Sequence, residues 1–149
     1  MTKRWIGGVF LGALVAVGCG GGSGRPTGPY DASCTLPANI TFTGNWYTNL
    51  GRMELSQNGA VVAGSWRDDQ SHKTGRIEGN AQGCLLLFSW NQTDDTIPGR
   101  PRTTNGRGVF HLVVPAPDAR DQTLTIEGVW GYGTEVEGGG NWTGRRLRD

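Results

Sequence analysis

Apolar and polar residues alternate with a period of two along most of the chain after residue 30. The alternation returns every ten to twenty residues between Gly, Asn and Pro residues, and helical spacing is absent from this part of the sequence. Such a pattern is typical of antiparallel strands that bury one face. The predicted fold class is therefore all-β.

The alternation predicts seven strands and leaves residues 39–43 as a candidate for an eighth. The predicted strands are 46–57 with Gly51 as a bulge, 60–67, 74–80, 84–90, 107–114, 123–130 and 139–147. Asn58-Gly59 is the preferred dipeptide for a two-residue hairpin turn. About eight consecutive antiparallel strands can close into a small up-and-down β-barrel, which is the predicted architecture.

Consecutive antiparallel strands place their connections at alternate ends of the sheet. One end then carries mostly tight connections, at 58–59, 81–83 and 115–122. The other end carries the longer polar connections, at 68–73, 91–106 and 131–138. This asymmetry predicts a barrel with a closed floor and an open mouth.

The tryptophans that follow residue 30 are predicted to lie at the mouth end. Strand parity directs all five toward the interior: Trp46, Trp66, Trp90, Trp130 and Trp142. One interpretation is an aromatic-lined pocket with the 68–73 and 91–106 loops as its gate. The other is a packed upper core in a barrel too narrow for a ligand, in which each tryptophan buries about 150–250 Å².

The first 18 residues have the features of a secretory signal peptide. A basic start precedes an apolar run, 6–17, that is too short to span a bilayer as a helix. The residues at the end of this run and after it, Ala16-Val17-Gly18-Cys19, resemble the lipobox of bacterial lipoproteins, in which the cysteine is lipidated. This resemblance implies a membrane anchor on Cys19, and Gly20 after the cysteine implies the outer membrane of the cell envelope. Ordinary secretion with cleavage nearby is the alternative.

These features divide the chain into a signal peptide (1–18), a flexible Gly-rich tether (19–33) and a β-barrel domain (34–149). With Cys19 lipidated, Cys34 and Cys84 remain as an even pair in an oxidising compartment, which predicts a disulfide. Two free or metal-binding thiols are the alternative, which the lack of a CxxC motif or clustered histidines disfavours.

Net charge argues against one class of partner. The chain has 14 basic residues, and without Lys3 and Arg4 of the signal peptide 12 remain against 13 acidic ones, a net charge of about −1. The sequence also has no basic patch, so nucleic acid is not expected as a partner.

Few side chains suggest catalysis. His72 follows two aspartates in a predicted mouth loop, and His111 is placed on the outer face of a strand with Val109 and Val113. The sequence has no nucleophile elbow, no Cys-His pair arranged for nucleophilic chemistry and no glycine-rich loop that opens a helix. No catalytic residue, cofactor or metal ligand is therefore predicted, and the chain is not expected to be an enzyme.

The segment Gly44-Asn45-Trp46-Tyr47-Thr48-Asn49-Leu50-Gly51, followed by Ala63-Gly64-Ser65-Trp66-Arg67-Asp68, resembles the first hairpin of avidins and streptavidins. A Gly-x-Trp motif and an Arg-bearing last strand, Arg145-Arg146, are shared more loosely with lipocalins, the other calycin-type barrels. The resemblance implies a β-barrel. It also places the polar contacts that avidins make to biotin at Thr48, Arg52, Trp66 and Asp68. Avidins have Asn, Ser, Tyr and Ser or Thr there, so biotin is not the expected ligand.

The sequence thus leads to two hypotheses for an extracytoplasmic lipoprotein held to the membrane through Cys19. In the first, the barrel binds a small or extended ligand in a Trp-lined mouth. The predicted ligand-binding residues are Trp46, Thr48, Arg52, Trp66, Asp68, Trp90, Trp130 and Trp142. In the second, the barrel is a solid-core module that binds an envelope protein or inhibits an enzyme. An interior cavity above a few hundred Å³ would favour the first hypothesis.

Overall fold

The computed structural model describes residues 34–148. The predicted signal peptide, Cys19 and the tether at 19–33 lie outside the described residues. Residues 34–148 form strands, turns and irregular segments, and none of them belongs to a helix long and apolar enough to cross a membrane.

The described part of the chain forms one antiparallel sheet. Its strands are β1 (Gly44–Thr48), β2 (Gly51–Asn58), β3 (Val61–Asp68), β4 (Lys73–Gln82), β5 (Leu85–Asp94), β6 (Arg102–Val113), β7 (Thr125–Tyr132), β8 (Gly140–Asn141) and β9 (Gly144–Arg146). Strands β1 to β7 pair in chain order, and β9 pairs with both β7 and β1, so the sheet closes on itself.

Strands β8 and β9 are two parts of one interrupted strand. Both pair with β7, and between them the backbone N–H of Trp142 donates a hydrogen bond to the Gly128 carbonyl, 2.9 Å away. The barrel therefore has eight strands. The predicted all-β fold, a small antiparallel barrel of about eight strands, is confirmed.

The single strand predicted over 46–57 is wrong. The chain turns back at Asn49 and Leu50, so this segment forms two strands, β1 and β2. The Thr48 hydroxyl closes the turn: it donates to the Gly51 carbonyl (2.7 Å) and accepts from the Leu50 N–H (3.1 Å). Gly51 has a φ of 110°, which favours glycine, and it ends the turn instead of forming a bulge.

The eighth strand comes from this division and not from residues 39–43, which are irregular. Phe42 in that segment is fully buried, and its N–H donates to the Gln57 side-chain oxygen at 2.9 Å. The segment therefore enters the end of the barrel and packs there. Its apolar side chains are buried although its backbone does not pair with a neighbouring strand.

The long polar loop predicted over 91–106 is also wrong in extent. Strand β5 continues to Asp94 and β6 begins at Arg102, so the loop covers only 95–101. The intervening polar residues pair across the two strands, from Asn91 with Asn105 to Asp94 with Arg102. Two strands that extend into water can form backbone hydrogen bonds whatever the polarity of their side chains. The polar composition of these residues therefore led to a predicted loop that is too long.

The strand order confirms how the connections were sorted between the two ends of the barrel. The mouth end carries the connections at 49–50, 69–72, 95–101 and 133–139. The floor end carries those at 59–60, 83–84 and 114–124.

Cys34 and Cys84 form a disulfide, with their Cα atoms 5.6 Å apart, as the cysteine count predicted. Cys84 precedes β5 at the floor end, so the bridge ties the irregular segment 34–43 to the floor. The two cysteines are 50 residues apart in sequence. Closing a loop of that length in the unfolded chain stabilises the fold by about 4 kcal/mol in the chain-entropy model.

Candidate functional site

The five predicted mouth tryptophans all contribute side chains to the interior. Four are buried, with exposures of 0% for Trp46, 1% for Trp142 and 5% for Trp66 and Trp90, while Trp130 is half-buried. Buried and exposed positions alternate along β3, β5 and β7, and the tryptophans of these strands occupy the inward positions, as predicted.

Trp142 lies in the middle of this aromatic group. Its ring meets three others edge-on, at centroid distances of 5.5 Å to Trp66, 5.8 Å to Phe88 and 5.3 Å to Phe110. Phe88 and Phe110 also contact each other at 4.4 Å. The rings thus fill the centre of the barrel at the separations of packed aromatic pairs.

Trp46 is level with Trp66 in the barrel, because both pair with Met53 of β2, but the direction predicted for its strand is wrong. Strand β1 runs toward the mouth, so Trp46 does not begin a strand that leaves it. Its indole N–H donates to the Phe42 carbonyl at 3.0 Å, and Phe42 belongs to the segment that closes the floor. Trp46 therefore links the core to the floor plug.

The indole N–H groups fall into two classes. Trp142 donates to the Thr48 hydroxyl at 3.1 Å and Trp90 to the Arg107 carbonyl at 3.2 Å. The buried N–H groups of Trp66 and Trp130 have no hydrogen-bond partner within the part of the chain that the structure describes. A buried N–H without a partner costs free energy, so these two groups are exceptions to be explained.

A second aromatic group reaches the surface at the mouth. Trp90, Trp130 and Tyr132 meet edge-on at centroid distances of 5.1–5.8 Å. Tyr132 is 58% exposed, while Gly139 of the 133–139 connection lies against the Trp130 ring, where a Cβ would be 2.4 Å from it. We call Trp90, Trp130 and Tyr132 the aromatic rim.

The remaining residues of the avidin comparison do not converge. Thr48 is buried and bonded to Trp142, so it belongs to the interior. Arg52 is exposed on the outer face of β2, opposite Arg67. Asp68 caps the 69–72 turn, where the Ser71 hydroxyl and the backbone N–H of residue 70 both donate to its carboxylate.

That turn perturbs one ionisation. The hydrogen bond from the Ser71 hydroxyl, with the backbone bond next in size, lowers the pKa of Asp68 below its ordinary 3.8. Asp68 is therefore anionic across the neutral range, as a turn cap requires. This role explains its position without a ligand.

The two histidines lie far apart in the fold. His72 is exposed in the 69–72 mouth turn with a φ of 53°, which is uncommon outside glycine. His111 is on the outer face of β6, as parity predicted, and one of its ring nitrogens lies within 4.8 Å of both sulfur atoms of the disulfide. That proximity could not be predicted from the sequence, because it depends on the pairing of β5 with β6.

The outer face of the barrel carries a depression that sequence reasoning missed. Three grooves, of about 830, 780 and 710 Å³, cross strands β1 to β6. The first two share Ser65 and Arg76, and the second and third share Glu78 and Ser89. We call these three adjoining grooves together the outer trough.

Small outward side chains form the bottom of the outer trough. Ala63 and Ser65 on β3 and Ser89 on β5 are short, exposed side chains. The longer side chains lie on β4 between them, where Arg76 pairs with Ser65, and Glu78 pairs with both Ala63 and Ser89. The sequence contains these short residues at outward positions of adjacent strands. Only the strand register shows that they lie side by side and form one surface feature.

Charge changes along the outer trough. The first groove is lined by four arginines and one glutamate: Arg52, Arg67, Arg76, Arg148 and Glu54. One of the arginines, Arg67, is paired with Asp69 at 2.8 Å, and both side chains are well exposed. The third groove instead includes the exposed apolar side chains of Val61 and Leu87. The trough is thus cationic and polar at one end and partly apolar at the other.

Comparisons of the chain with protein-family models, with curated proteins and with solved structures found no match. The closed eight-stranded antiparallel barrel is compatible with the calycin architecture that the segment 44–68 suggested. Any function must therefore be argued from the geometry of this chain alone.

Proposed function

We propose that the chain is a lipid-anchored binding module of the cell envelope, with a solid core and a binding surface on the outside of the barrel. The lipid on Cys19 would hold it to the outer membrane, and the tether at 19–33 would let the domain reach its partner. The partner we propose is a protein that lays an extended segment into the outer trough.

The packing around Trp142 carries this proposal. A ligand in the centre of the barrel would have to displace rings that already meet at 5.3–5.8 Å. Removing one buried Trp side chain from a core costs about 3–5 kcal/mol, so displacement would consume much of the affinity of a small ligand. Binding outside the core has no such cost.

The dimensions and lining of the outer trough suit a peptide segment. The trough extends from β1 to β6, five strand spacings or about 24 Å along the curved surface of the barrel, which equals about seven extended residues. Ser65, Asn91 and Asn105 line it with groups that both donate and accept hydrogen bonds. The arginines at one end favour an acidic residue of the partner, and Leu87 at the other favours an aliphatic one.

The proposal assigns no reaction to the chain. Within residues 34–148, Cys34 and Cys84 are bonded to each other and His72 lies in an exposed turn.

A second candidate is a small aromatic or polar ligand at the aromatic rim. The observation that favours it is the buried N–H of Trp130, which has no partner among the described residues, beside the exposed Tyr132. The 69–72 and 95–101 connections at the same end would then act as the gate. Biotin is not the ligand we propose, because Arg52 is on the outer face and Thr48 is engaged in the core.

Photo-crosslinking from defined positions tests the proposal. A benzoylphenylalanine at Ser65 in the full-length lipoprotein, expressed in its own envelope, should give one discrete protein adduct that mass spectrometry maps to an extended segment. The matched control is Thr103, which is also exposed on an outward strand position but lines none of the three grooves. Equal adducts from both positions, or none from Ser65, would count against the outer trough.

A further inference from the structure

The disulfide and His111 form a compact group on the outer face of the barrel near the floor. The three side chains come from different elements: Cys34 from the segment before β1, Cys84 from the turn before β5, and His111 from β6 opposite Leu85. One imidazole nitrogen and the two sulfur atoms lie within 4.8 Å of one another. This arrangement provides three ligand atoms of the kinds that zinc prefers.

The backbone around this group is well fixed. The Leu112 N–H donates to the Cys84 carbonyl at 2.8 Å, which locks the turn to β6. Gly83 faces the Cys34 carbonyl so closely that a Cβ would lie 1.9 Å from it. Cys84, Leu85 and Val109 also form a buried apolar cluster against which Cys34 packs. These contacts do not depend on the sulfur–sulfur bond.

We propose that reduction of the Cys34–Cys84 disulfide creates a Cys₂His site for Zn²⁺. A dithiol reductant supplies two electrons and two protons, the sulfur–sulfur bond breaks, and the reductant becomes a disulfide. The zinc ion then displaces the proton from each thiol, and the two thiolates and the neutral imidazole bind it. Water takes the fourth position, which is accessible because Cys34 and His111 are only half-buried.

The distances suit this exchange. A tetrahedral zinc with Zn–S bonds of about 2.3 Å holds its two sulfur atoms about 3.8 Å apart. The two sulfur atoms are about 2 Å apart in a disulfide, so they must move apart by about 1.8 Å to bind the ion. A tetrahedral zinc also requires about 3.6 Å between the imidazole nitrogen and each sulfur. These atoms lie within 4.8 Å of one another, so the imidazole needs to approach the sulfurs by at most about 1 Å.

The two oxidation states would thus fix the segment 34–43 to the floor in different ways. In the oxidised protein the disulfide holds it, and in the reduced protein the zinc ion does. The fold would keep its floor closed under reducing conditions as long as zinc is present, and the chain would hold zinc only when reduced. This inference is independent of the proposed function.

Cobalt(II) and zinc titrations of the reduced full-length chain test the site. All proteins carry Cys19→Ser so that only the two barrel thiols remain. Wild type reduced with a phosphine should bind one Co²⁺ per chain, with the visible bands of a tetrahedral ion and a thiolate charge-transfer band, and Zn²⁺ should displace it. The oxidised protein should show neither band.

The two histidines form a matched pair of controls. His111→Ala should weaken Co²⁺ binding by more than the about 10–100-fold that loss of an outer-shell partner causes, because it removes a direct ligand. His72→Ala, at the opposite end of the barrel, should leave the affinity unchanged. Equal affinities of the reduced wild type and His111→Ala would overturn the site.

A second measurement keeps the test decisive if the chain unfolds on reduction. If the reduced chain loses the near-ultraviolet circular dichroism of its tryptophans, Zn²⁺ should restore that signal in the wild type and not in His111→Ala. Restoration in both proteins, or in neither, would contradict the proposed ligand set.

Discussion

Removal of the Trp142 side chain is the perturbation to which the packed interior should be most sensitive. The residue is 1% exposed and contacts Trp66, Phe88 and Phe110 edge-on. Replacing a buried Trp with Ala costs about 3–5 kcal/mol through lost burial and the cavity left behind. The Thr48 hydroxyl also loses its indole donor, which contributes about 1 kcal/mol. We therefore expect Trp142→Ala to lower the free energy of unfolding by about 4–5 kcal/mol, the upper part of that range.

Urea unfolding followed by far-ultraviolet circular dichroism measures this loss, with an unchanged m-value as evidence that the same surface unfolds. Trp130→Ala is the matched control: its side chain is half-buried and its N–H has no partner, so we expect a loss of about 1–2 kcal/mol. Added indole should restore part of the stability of Trp142→Ala by filling an apolar cavity.

The reasoning would be refuted by a loss below about 1 kcal/mol for Trp142→Ala, a value typical of loosely packed or exposed sites. It would also be refuted if Trp142→Ala and Trp130→Ala lost equal stability. The first result would mean that space surrounds Trp142, and the Trp-lined pocket would become the better hypothesis. The second would mean that Trp142 is no better packed than the half-buried Trp130.

Three further outcomes follow from the turns and the floor. Gly51→Ala should cost more than about 2 kcal/mol in urea unfolding, because a Cβ there would lie 2.3 Å from a β3 carbonyl at a φ of 110°, whereas Gly59→Ala meets no atom within 4 Å and should cost about 1 kcal/mol. Reduction of the disulfide without added metal should lower stability by about 4 kcal/mol, measured as a shift of the urea midpoint, and no shift would show that the 34–43 segment holds itself in place. Asp68→Asn should lower the urea midpoint at pH 7. The folded-state pKa of Asp68 lies below its ordinary 3.8 through Ser71, so the stability it contributes is present above that value and is lost as pH falls through the folded pKa. A wild-type advantage that did not decrease as the pH fell below 3.8 would contradict this.

Strand alternation was sufficient to predict the barrel, because each strand buries one face. Positions such as Val62, Leu86 and Ile126 report that face at every second residue. The cysteine count predicted the disulfide for an equally simple reason, since two cysteines allow one pairing. These parts of the fold are encoded locally.

The misplaced boundaries have local causes of another kind. The inward positions change from even numbers (Trp46, Thr48) to odd numbers (Met53, Leu55) in this segment, a change that a bulge at Gly51 would also produce. Only the Thr48 hydroxyl and the positive φ of Gly51 mark the turn. The pairing of Asn91 with Asn105 joins polar residues that resemble loop composition. Hydrophobicity alone does not distinguish a turn from a bulge, or a polar strand from a loop.

The candidate sites depend on register between strands, which the sequence does not state. Ser65 and Ser89 share the outer trough only because β4 aligns Arg76 and Glu78 between them. His111 comes beside Cys84 because β6 pairs with β5 one residue after that cysteine. The sequence pattern placed His111 on the correct face of its strand, but it could not bring these side chains together.

Binding of the crosslinked partner segment to Ser65→Phe and Trp130→Phe tests the central claim most directly. Isothermal titration of both variants and the wild type with the synthetic peptide compares the outer trough with the aromatic rim in one experiment. Our account predicts that Ser65→Phe, which fills the trough from an exposed strand position, abolishes binding, while Trp130→Phe binds as the wild type does. Retained binding by Ser65→Phe together with loss of binding by Trp130→Phe would contradict it.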